Sequence, residues 1–348
     1  MSADTPHPLQ IFWDQALASI HTGALLAAFE HGLFLELAEN APTSAPILAR
    51  RLGLNVTRTE HWLELLWGMG ILDRAEKTQK NENSTWCYYI PPSLTNYLFN
   101  GTQCCHEALA FRLRVMHQFG KNLSGWLRED CNVLPKSAND AGWAAAAQKQ
   151  IGQEQCAVTA DTALTCVAYA EISKASCRFL DLGGGPGWVA IALAKQYADW
   201  NGVIFDLPET VHVARQNIAL TGLQQRLETL GGDFTTADIG ANYDLIWCSS
   251  LLYFTHDLKM SAHKLLAALA PGGTLVAVHA ELPNTRSEAE RILAYCLPLQ
   301  LRGCQVWRQG EFAQILCESG FTILASFPCM RFPLAPMQVI IARKEEAG

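Results

Sequence analysis

The segment 179–188, with the sequence FLDLGGGPGW, constrains the fold more than any other part of the chain. An apolar run passes through Asp181 and four glycines into a helical pattern that begins at Trp188. Glycines allow a ligand to lie against the backbone without a Cβ clash, and the helix is expected to offer free N–H groups beyond them. The segment predicts a strand, a binding turn and a helix, with Asp181 at the strand end, where open α/β sheets bind ligands.

Two other glycine-rich sites do not match this turn. A dinucleotide site of the form GxGxxG that starts at Gly183 requires a small residue where Trp188 stands. A phosphate-binding Walker loop requires a Gly-Lys-Ser/Thr sequence, which does not follow here. A turn that only packs against the rest of the protein is the remaining alternative.

Strands and helices alternate along the second half of the chain. The predicted strands are 178–182, 202–206, 226–230, 243–248 and 274–279, and the helices between them are 188–197, 209–221 and 260–269. Two late strands, 322–327 and 337–343, are close enough in sequence to form an antiparallel edge. This order predicts an α/β fold, a Rossmann-like, doubly wound and mainly parallel sheet with helices on both faces.

The first half of the chain has a different character. Residues 10–72 have helical spacing of apolar residues, and short extended pieces follow at 71–75 and 86–90, which is the order of a winged helix. Residues 94–170 read as further helices. We therefore expect a winged-helix-like domain over 1–100, a helical linker over 101–170 and the Rossmann-like domain over 171–348.

Acidic residues also end the second and third predicted strands of the Rossmann-like part. Asp206 ends the strand in VIFDLP, and an acid at that point can accept both hydroxyls of a ribose. Asp233 follows the next strand in GGDF, where a carboxylate can accept an adenine amino group while Phe234 packs on the ring. Each acid alone is as consistent with a helix cap, but three at successive strand ends favour a nucleoside site.

The motifs DLGGGPG, VIFDLP, GGDF and APGG together resemble the class I S-adenosylmethionine-dependent methyltransferases, and most closely their small-molecule O-methyltransferases. The segments HTGALLAAFEHGLFLELAE and WGMGILDR are similar to that family's N-terminal winged-helix dimerisation domain. The resemblance implies S-adenosyl-L-methionine as cofactor, a small aromatic acceptor and a homodimer, across which Phe12 and Trp13 reach. The cofactor-binding residues it implies are Asp181, Gly183, Gly184, Gly185, Gly187, Asp206, Leu207, Asp233, Phe234, Cys248 and Ser249.

The catalytic end departs from the family pattern. The family's O-methyltransferases use a His that removes the acceptor proton and lies nine residues after the acid that opens the fourth strand. Counting from Asp244 gives Tyr253, and the nearest imidazole is His256. His279 stands where the family often has an acid that supports its base, and Glu281 is an alternative for that acid. His256 can act as the base if the loop is rearranged, and Tyr253 can orient the acceptor or handle its proton. His279 either faces the acceptor or is a hydrogen-bonded residue behind the site. Tyr253, His256 and His279 are therefore the candidate catalytic residues.

The acceptor site is expected between the sheet and the helices at 105–150. Its candidate liners are Phe111, Met116, His117, Phe119, Trp126 and Trp143. Because the usual base is missing, three outcomes stay open: O-methylation, C-methylation of a phenol ring, and a non-methylating reaction in which the cofactor serves as a scaffold.

Charge and composition argue against several other classes of protein. The chain has a net charge of −7, and residues 1–99 carry six Lys/Arg against ten Asp/Glu, so nucleic-acid binding is not expected. No apolar run approaches the ~18 residues of a membrane helix, and no signal peptide is apparent. The twelve cysteines are scattered without a CxxC motif, which favours reduced thiols, a cytoplasmic location and no metal site.

Overall fold

The computed structural model describes residues 6–77, 85–99, 101–128, 140–172, 174–332 and 336–346. The chain divides into two compact units, Met1–Asn122 and Leu123–Gly348. The predicted three-part division, with boundaries near residues 100 and 170, stays a prediction.

The first unit is mostly helical. Its helices are α1 (Gln10–Glu30), α2 (Leu33–Asn40), α3 (Ala45–Leu52), α4 (Val56–Gly68), α5 (Pro92–Leu98) and α6 (His106–Lys121), and its strands are β1 (Thr43–Ser44), β2 (Asp73–Lys77) and β3 (Thr85–Tyr89). The strands form an antiparallel sheet in the order β1-β3-β2. The predicted strand pair is present as β2 and β3, whereas the turn between them, at 78–84, lies outside the described residues.

Local sequence explains where α3 and α4 begin and end. Pro46 occupies the first turn of α3, and Gly53 closes the helix in the left-handed conformation at φ 68°. The side chain of Asn55 then accepts a hydrogen bond from the Arg58 N–H at 3.1 Å and caps α4. The two helices pack around fully buried leucines, including Leu48 and Leu63, which form the core of this unit.

The second unit contains the larger sheet. Its strands are β4 (Arg178–Leu182), β5 (Asn201–Asp206), β6 (Leu227–Gly231), β7 (Tyr243–Ser249), β8 (Leu269–His279), β9 (Phe321–Cys329) and β10 (Met337–Lys344). Its helices are α7 (Leu123–Trp126), α8 (Asp140–Ala146), α9 (Gly152–Glu154), α10 (Ala160–Tyr169), α11 (Trp188–Gln196), α12 (Pro208–Thr221), α13 (Leu258–Ala268), α14 (Arg286–Gln300) and α15 (Glu311–Glu318). Two π-helical turns, Ala147–Ile151 and Gln155–Thr159, join α8, α9 and α10 into one helical stretch.

The seven strands are ordered β6-β5-β4-β7-β8-β10-β9. The first five are parallel, and β10 pairs antiparallel with both β8 and β9. This confirms the predicted α/β fold and its antiparallel edge. The inner strands are buried on both faces, as their continuous apolar sequences indicate.

Helix α14 is not foreseen by the strand–helix pattern. Of its residues only Ile292, Cys296 and Pro298 are buried, and Pro298 lies inside the helix, where it normally weakens a helical pattern. Ile292 and Cys296 belong to the large hydrophobic core, so tertiary packing decides this element. Over the described ranges, no helix is long and apolar enough to span a membrane.

Candidate active site

The sheet reverses its strand order between β4 and β7. From β4 the chain continues outward on one side through β5 and β6, whereas β7 and β8 lie on the other side of β4. The carboxyl ends of β4 and β7 therefore border the crevice in which open α/β sheets bind ligands. Asp181 lies near the end of β4, the glycine turn follows this strand, and Ser249 ends the neighbouring strand β7.

The glycine turn needs its glycines for two physical reasons. Gly183, Gly185 and Gly187 have φ values of 71°, 57° and 82°, which side-chain-bearing residues rarely adopt. Gly184 is constrained by space, because a Cβ there would lie 2.8 Å from the Asp181 carboxylate and 2.8 Å from Ile204. The turn is thus both shaped and tightly packed against the ends of β4 and β5.

The N–H groups of the turn are already occupied by protein acceptors. Gly183 and Gly184 donate to the Phe205 carbonyl at 2.8 and 3.1 Å. Gly185 donates to Asp206 Oδ2 at 2.8 Å. At the start of α11, the Trp188 N–H donates to the Gln155 side chain at 3.0 Å and Ala190 donates to Asp181 at 3.2 Å.

The expectation of free N–H groups at the start of α11 is therefore wrong for Trp188 and Ala190. Side chains from two other elements reach the helix N-terminus and satisfy it. A phosphate needs such groups to be available, so this turn is a poor anion site.

Asp181 and Asp206 place negative charge beneath the turn. Asp181 is fully buried, and this burial raises the pKa of its carboxyl group to about 7, with repulsion from Asp206 adding to the rise. Burial also raises the pKa of Asp206, although hydrogen bonds from the Leu207 and Gly185 N–H groups oppose it. A bound cation would relieve this unfavourable ionisation.

Asp233 lies at the end of β6, exposed to solvent. Its Oδ1 accepts hydrogen bonds from the Thr235 N–H and hydroxyl at 2.8 and 2.7 Å, and these bonds lower the pKa of the carboxyl group. The Phe234 ring is buried in the core, with the Lys264 ammonium 5.0 Å from its centroid. The assignment of both residues to an adenine stays a prediction.

Cys248 and Ser249 close the crevice from the β7 side. The Cys248 thiol is fully buried, and burial raises its pKa far above its ordinary value. Ser249 is half-buried at the strand end, and Ser250 follows it at φ 56°, an unfavourable conformation for a residue with a side chain. Strained residues of this kind are often found at functional sites.

The three candidate catalytic residues have very different environments. The Tyr253 hydroxyl is buried, accepts from the Ala280 N–H and donates to the Ala280 carbonyl at 3.2 Å. His279 is also buried, and its Nε2 accepts from the Leu252 N–H at 3.2 Å. His256, in contrast, is exposed to solvent.

Burial makes Tyr253 and His279 poor proton acceptors. It raises the pKa of the Tyr253 phenol well above 10 and lowers the pKa of His279 to about 3. Glu281 is buried as well, and it accepts from the Trp307 indole at 2.9 Å and from the Gly310 N–H at 3.0 Å. Of these groups only His256 has an accessible titratable side chain.

The six candidate acceptor liners are all half-buried. Phe111, Met116, His117 and Phe119 belong to α6 in the first unit, and Trp126 and Trp143 belong to the second. Trp143 makes an edge-to-face contact with Phe254, with ring centroids 5.5 Å apart. This contact brings one predicted liner next to the segment that carries His256.

Sequence reasoning missed Gln155. Its side chain is buried, donates to the Gly184 carbonyl at 3.0 Å and accepts from the Trp188 N–H at 3.0 Å. It lies on a π-helical turn, a distortion that often marks functional sites. The sequence does not single it out, because it is one of four glutamines between residues 148 and 155.

The strand order, the glycine turn after the first parallel strand and the acids at the following strand ends define a class I methyltransferase. The family model described as an O-methyltransferase domain matches residues 136–322. The chain therefore belongs to the O-methyltransferase family.

Similar proteins agree with this family. The 3-hydroxy-5-methyl-1-naphthoate 3-O-methyltransferase of Streptomyces sahachiroi is 27% identical over 275 residues, which are 76% of this chain and 74% of that protein. Acetylserotonin O-methyltransferase of Rattus norvegicus is 26% identical over 334 residues, 92% of this chain and 73% of its own length. The crystal structure of human N-acetylserotonin methyltransferase in complex with SAM has the same fold, with a TM-score of 0.74, 19% identity and coverage of 99% and 100%.

The residues of the crevice suit the cofactor of this class, S-adenosylmethionine. That molecule carries positive charge on its sulfur and its ammonium group and has no phosphate. Here the turn's N–H groups are occupied, and the carboxylates of Asp181 and Asp206 carry negative charge that burial makes unfavourable. Over the described ranges, no group of three or more His, Cys, Asp or Glu side chains is placed to hold a metal ion.

Proposed function

We propose that this protein transfers a methyl group from S-adenosylmethionine to a hydroxyl group of a small aromatic molecule. The observation that carries the proposal is the pair of carboxylates, Asp181 and Asp206, beneath a glycine turn whose N–H groups are occupied. The names of relatives support an aromatic acceptor, since they include a naphthoate 3-O-methyltransferase and a phenazine O-methyltransferase.

Each carboxylate of the crevice has a separate task in this proposal. Asp206 is half-buried and holds the ribose hydroxyls, as its place at the end of β5 favours. Asp181 is fully buried and accepts a hydrogen bond from the Ala190 N–H, so it holds the turn in shape. A bound cation favours its ionised form. When bound, the cofactor supplies a methyl group on a positively charged sulfur.

The acceptor side is supported by the contact between Trp143 and Phe254. The two rings offer apolar surface for an aromatic acceptor near the end of β7, where Ser249 lies. His256 follows Phe254 by two residues and is exposed, so we assign the removal of the acceptor proton to its imidazole. Aligning the acceptor with the methyl group supplies much of the rate.

C-methylation, or a reaction without methyl transfer, is the second candidate function. It is favoured by one observation: Tyr253 and His279, at the positions where the family has its base and the supporting acid, are buried and hydrogen-bonded within the protein. A carbon nucleophile or an acceptor that is already acidic needs less help from a base.

We further propose that a second copy of this chain covers the N-terminal part of α1, giving a homodimer with a winged-helix-like first unit. Ile11, Phe12, Trp13, Leu17 and Ile20 are between 45% and 71% exposed, a dense apolar surface for one helix. Phe12→Glu should convert the dimer to a monomer in light scattering, and Gln225→Glu, an exposed change in the other unit, should not. A monomeric wild type would contradict this part of the proposal.

Nucleic acid is not among the proposed partners, and the proposed location is the cytoplasm. Two of the few basic side chains in the first unit are already paired, Arg51 with Glu36 and Arg74 with Glu64. The described cysteines are free thiols, as is usual in a reducing compartment.

The proposal is tested with methyl-labelled S-adenosylmethionine and a panel of hydroxylated naphthoates and phenazines. Label on oxygen supports O-methylation, label on a ring carbon supports the second candidate, and conversion without label supports a non-methylating reaction. Calorimetry with S-adenosylhomocysteine gives an independent measure of binding. Asp206→Ala should weaken binding without unfolding the protein, although the Gly185 and Leu207 N–H groups lose their acceptor. The exposed change Asp199→Asn should leave binding unchanged. A wild type that binds no adenosyl-sulfur compound would refute the proposal.

A further inference from the structure

The residues that follow β7 run directly over the glycine turn. We call residues 250–256 the exit segment. It begins with Ser250 at φ 56°, whose N–H donates to the Val278 carbonyl at 3.0 Å. Leu251 then lies so close to Gly183 that a Cβ there would be 3.1 Å from the Leu251 Cβ. Any movement of the exit segment would therefore move one wall of the crevice.

Three hydrogen bonds, made by the side chains of His279 and Tyr253, tie the exit segment to the end of β8 and to Ala280 after it. The Leu252 N–H donates to His279 Nε2 at 3.2 Å. The Tyr253 hydroxyl accepts from the Ala280 N–H and donates to the Ala280 carbonyl. These bonds replace the strand pairing that ends at Ser249 and Val278, so the segment is held although it is not part of the sheet. We call this set of bonds the clasp.

The clasp defines the protonation state of His279. Because Nε2 accepts a hydrogen bond, the ring proton must be on Nδ1, which is buried with no hydrogen-bond partner among the described residues. The rings of Tyr253, Trp307 and Phe312 surround the imidazole, with centroids 5.2, 5.3 and 6.1 Å away. An apolar side chain at this position would leave no buried donor unpaired. The hydrogen bond that Nε2 accepts therefore explains why a histidine is present here.

A second set of bonds holds the exit segment from the other side. The Gln305 N–H donates to the Tyr253 carbonyl at 2.9 Å, and the Gln305 side chain donates to the His256 carbonyl at 2.8 Å. The chain beyond Gln305 is anchored in turn by Glu281, through Trp307 and Gly310. The backbone of the segment is thus fixed on both sides, whereas the His256 side chain stays accessible.

We propose that Tyr253 and His279 are positioning residues that do not exchange protons with the acceptor. They hold residues 250–256 so that the crevice wall and His256 are correctly aligned with the acceptor. This inference rests on the proposed methyl transfer. Their burial agrees with it, since it keeps the phenol protonated and the imidazole neutral at working pH. Loss of alignment reduces turnover rather than affinity, by about 10- to 100-fold for displacements near 1 Å.

Matched substitutions separate positioning from proton transfer. In His279→Gln the amide oxygen can take the place of Nε2 and keep the bond to Leu252, whereas the shorter side chain of His279→Asn cannot reach it. We expect His279→Asn and Tyr253→Phe to lower kcat about 10- to 100-fold, with KM and S-adenosylhomocysteine affinity within about twofold. His279→Gln should regain most of the activity, and all variants should keep the pH profile of the wild type.

Two outcomes would overturn the inference. If either His279→Asn or Tyr253→Phe loses a limb of the pH–rate profile, that residue exchanges a proton and is catalytic. If His279→Asn turns over like the wild type, the clasp does not position the segment.

Failure of the proposed function is recognised separately, because the wild type would then bind no S-adenosylhomocysteine. Hydrogen exchange of the backbone amides of residues 250–256 measures how firmly the clasp holds the segment, and this measurement does not require enzymatic activity. Faster exchange there in His279→Asn than in His279→Gln, at equal melting temperatures, supports the clasp, and equal exchange refutes it.

Discussion

Replacing Asp181 by asparagine should make the ligand-free protein less sensitive to pH. The amide oxygen of the new side chain can still accept the hydrogen bond from the Ala190 N–H, but it has no charge to bury. In the wild type, burial raises the pKa of the Asp181 carboxyl from 3.8 to about 7. The folded state therefore holds a proton that the unfolded chain has already lost across that interval. The stability this contributes is complete below pH 3.8 and is lost as the pH rises through about 7.

The size of the effect follows from the two pKa values. Between pH 5 and pH 8 the wild type should lose about 2–3 kcal/mol of unfolding free energy that Asp181→Asn keeps. For a unit of ~200 residues this corresponds to a relative shift of about 4–12 °C in melting temperature.

Calorimetry of the ligand-free protein at pH 5, 6, 7 and 8 measures this difference. Exposed Asp199→Asn is the matched control, and its melting temperature should follow that of the wild type at every pH. If the melting temperatures of wild type and Asp181→Asn change in parallel with pH, the reasoning is refuted. It is also refuted if the stability of Asp181→Asn relative to the wild type increases towards low pH.

Three further predictions concern the residues around this carboxylate and the exit segment. Gln155→Leu removes two buried hydrogen bonds from the glycine turn and should lower the free energy of unfolding in urea by about 1–3 kcal/mol. It should also weaken S-adenosylhomocysteine binding in calorimetry. Unchanged stability and affinity would contradict this role of Gln155. Gly184→Ala places a Cβ 2.8 Å from the Asp181 carboxylate and should cost about 1–3 kcal/mol in the same unfolding assay. His256→Ala should lower kcat in the labelled-methyl assay by about 10²-fold or more, whereas the exposed His263→Ala should not; equal turnover would exclude His256 as the base.

Much of the sheet can be predicted because its signals are local. The strand 178–182 is found with the predicted bounds, since an apolar run that ends at glycines has few other conformations open to it. The late strands β9 and β10 are antiparallel because the connection between them is short. Helix α14 is not predicted from the sequence, because its few buried residues and Pro298 do not make a clear helical pattern.

The candidate site shows the same difference between residues with local sequence signals and residues that only tertiary contacts bring together. Asp206 is recognised from its position at the end of a strand, and the structure brings it within 2.8 Å of the Gly185 nitrogen. The hydrogen bonds of Gln155 join residues 29 and 33 positions apart, and no spacing in the sequence indicates them. The clasp between Tyr253 and Ala280 spans 27 positions and is equally hidden.

The sequence by itself determined the class of fold and the place of the crevice. Both depend on backbone preferences and apolar periodicity, which act between neighbours along the chain. Only the tertiary structure decided which polar groups remain available: it occupied the N–H groups of Trp188 and Ala190, enclosed Tyr253 and His279, and left His256 exposed. Burial and hydrogen-bond pairing decide whether a group can bind or exchange a proton, and both arise from residues far apart in the chain.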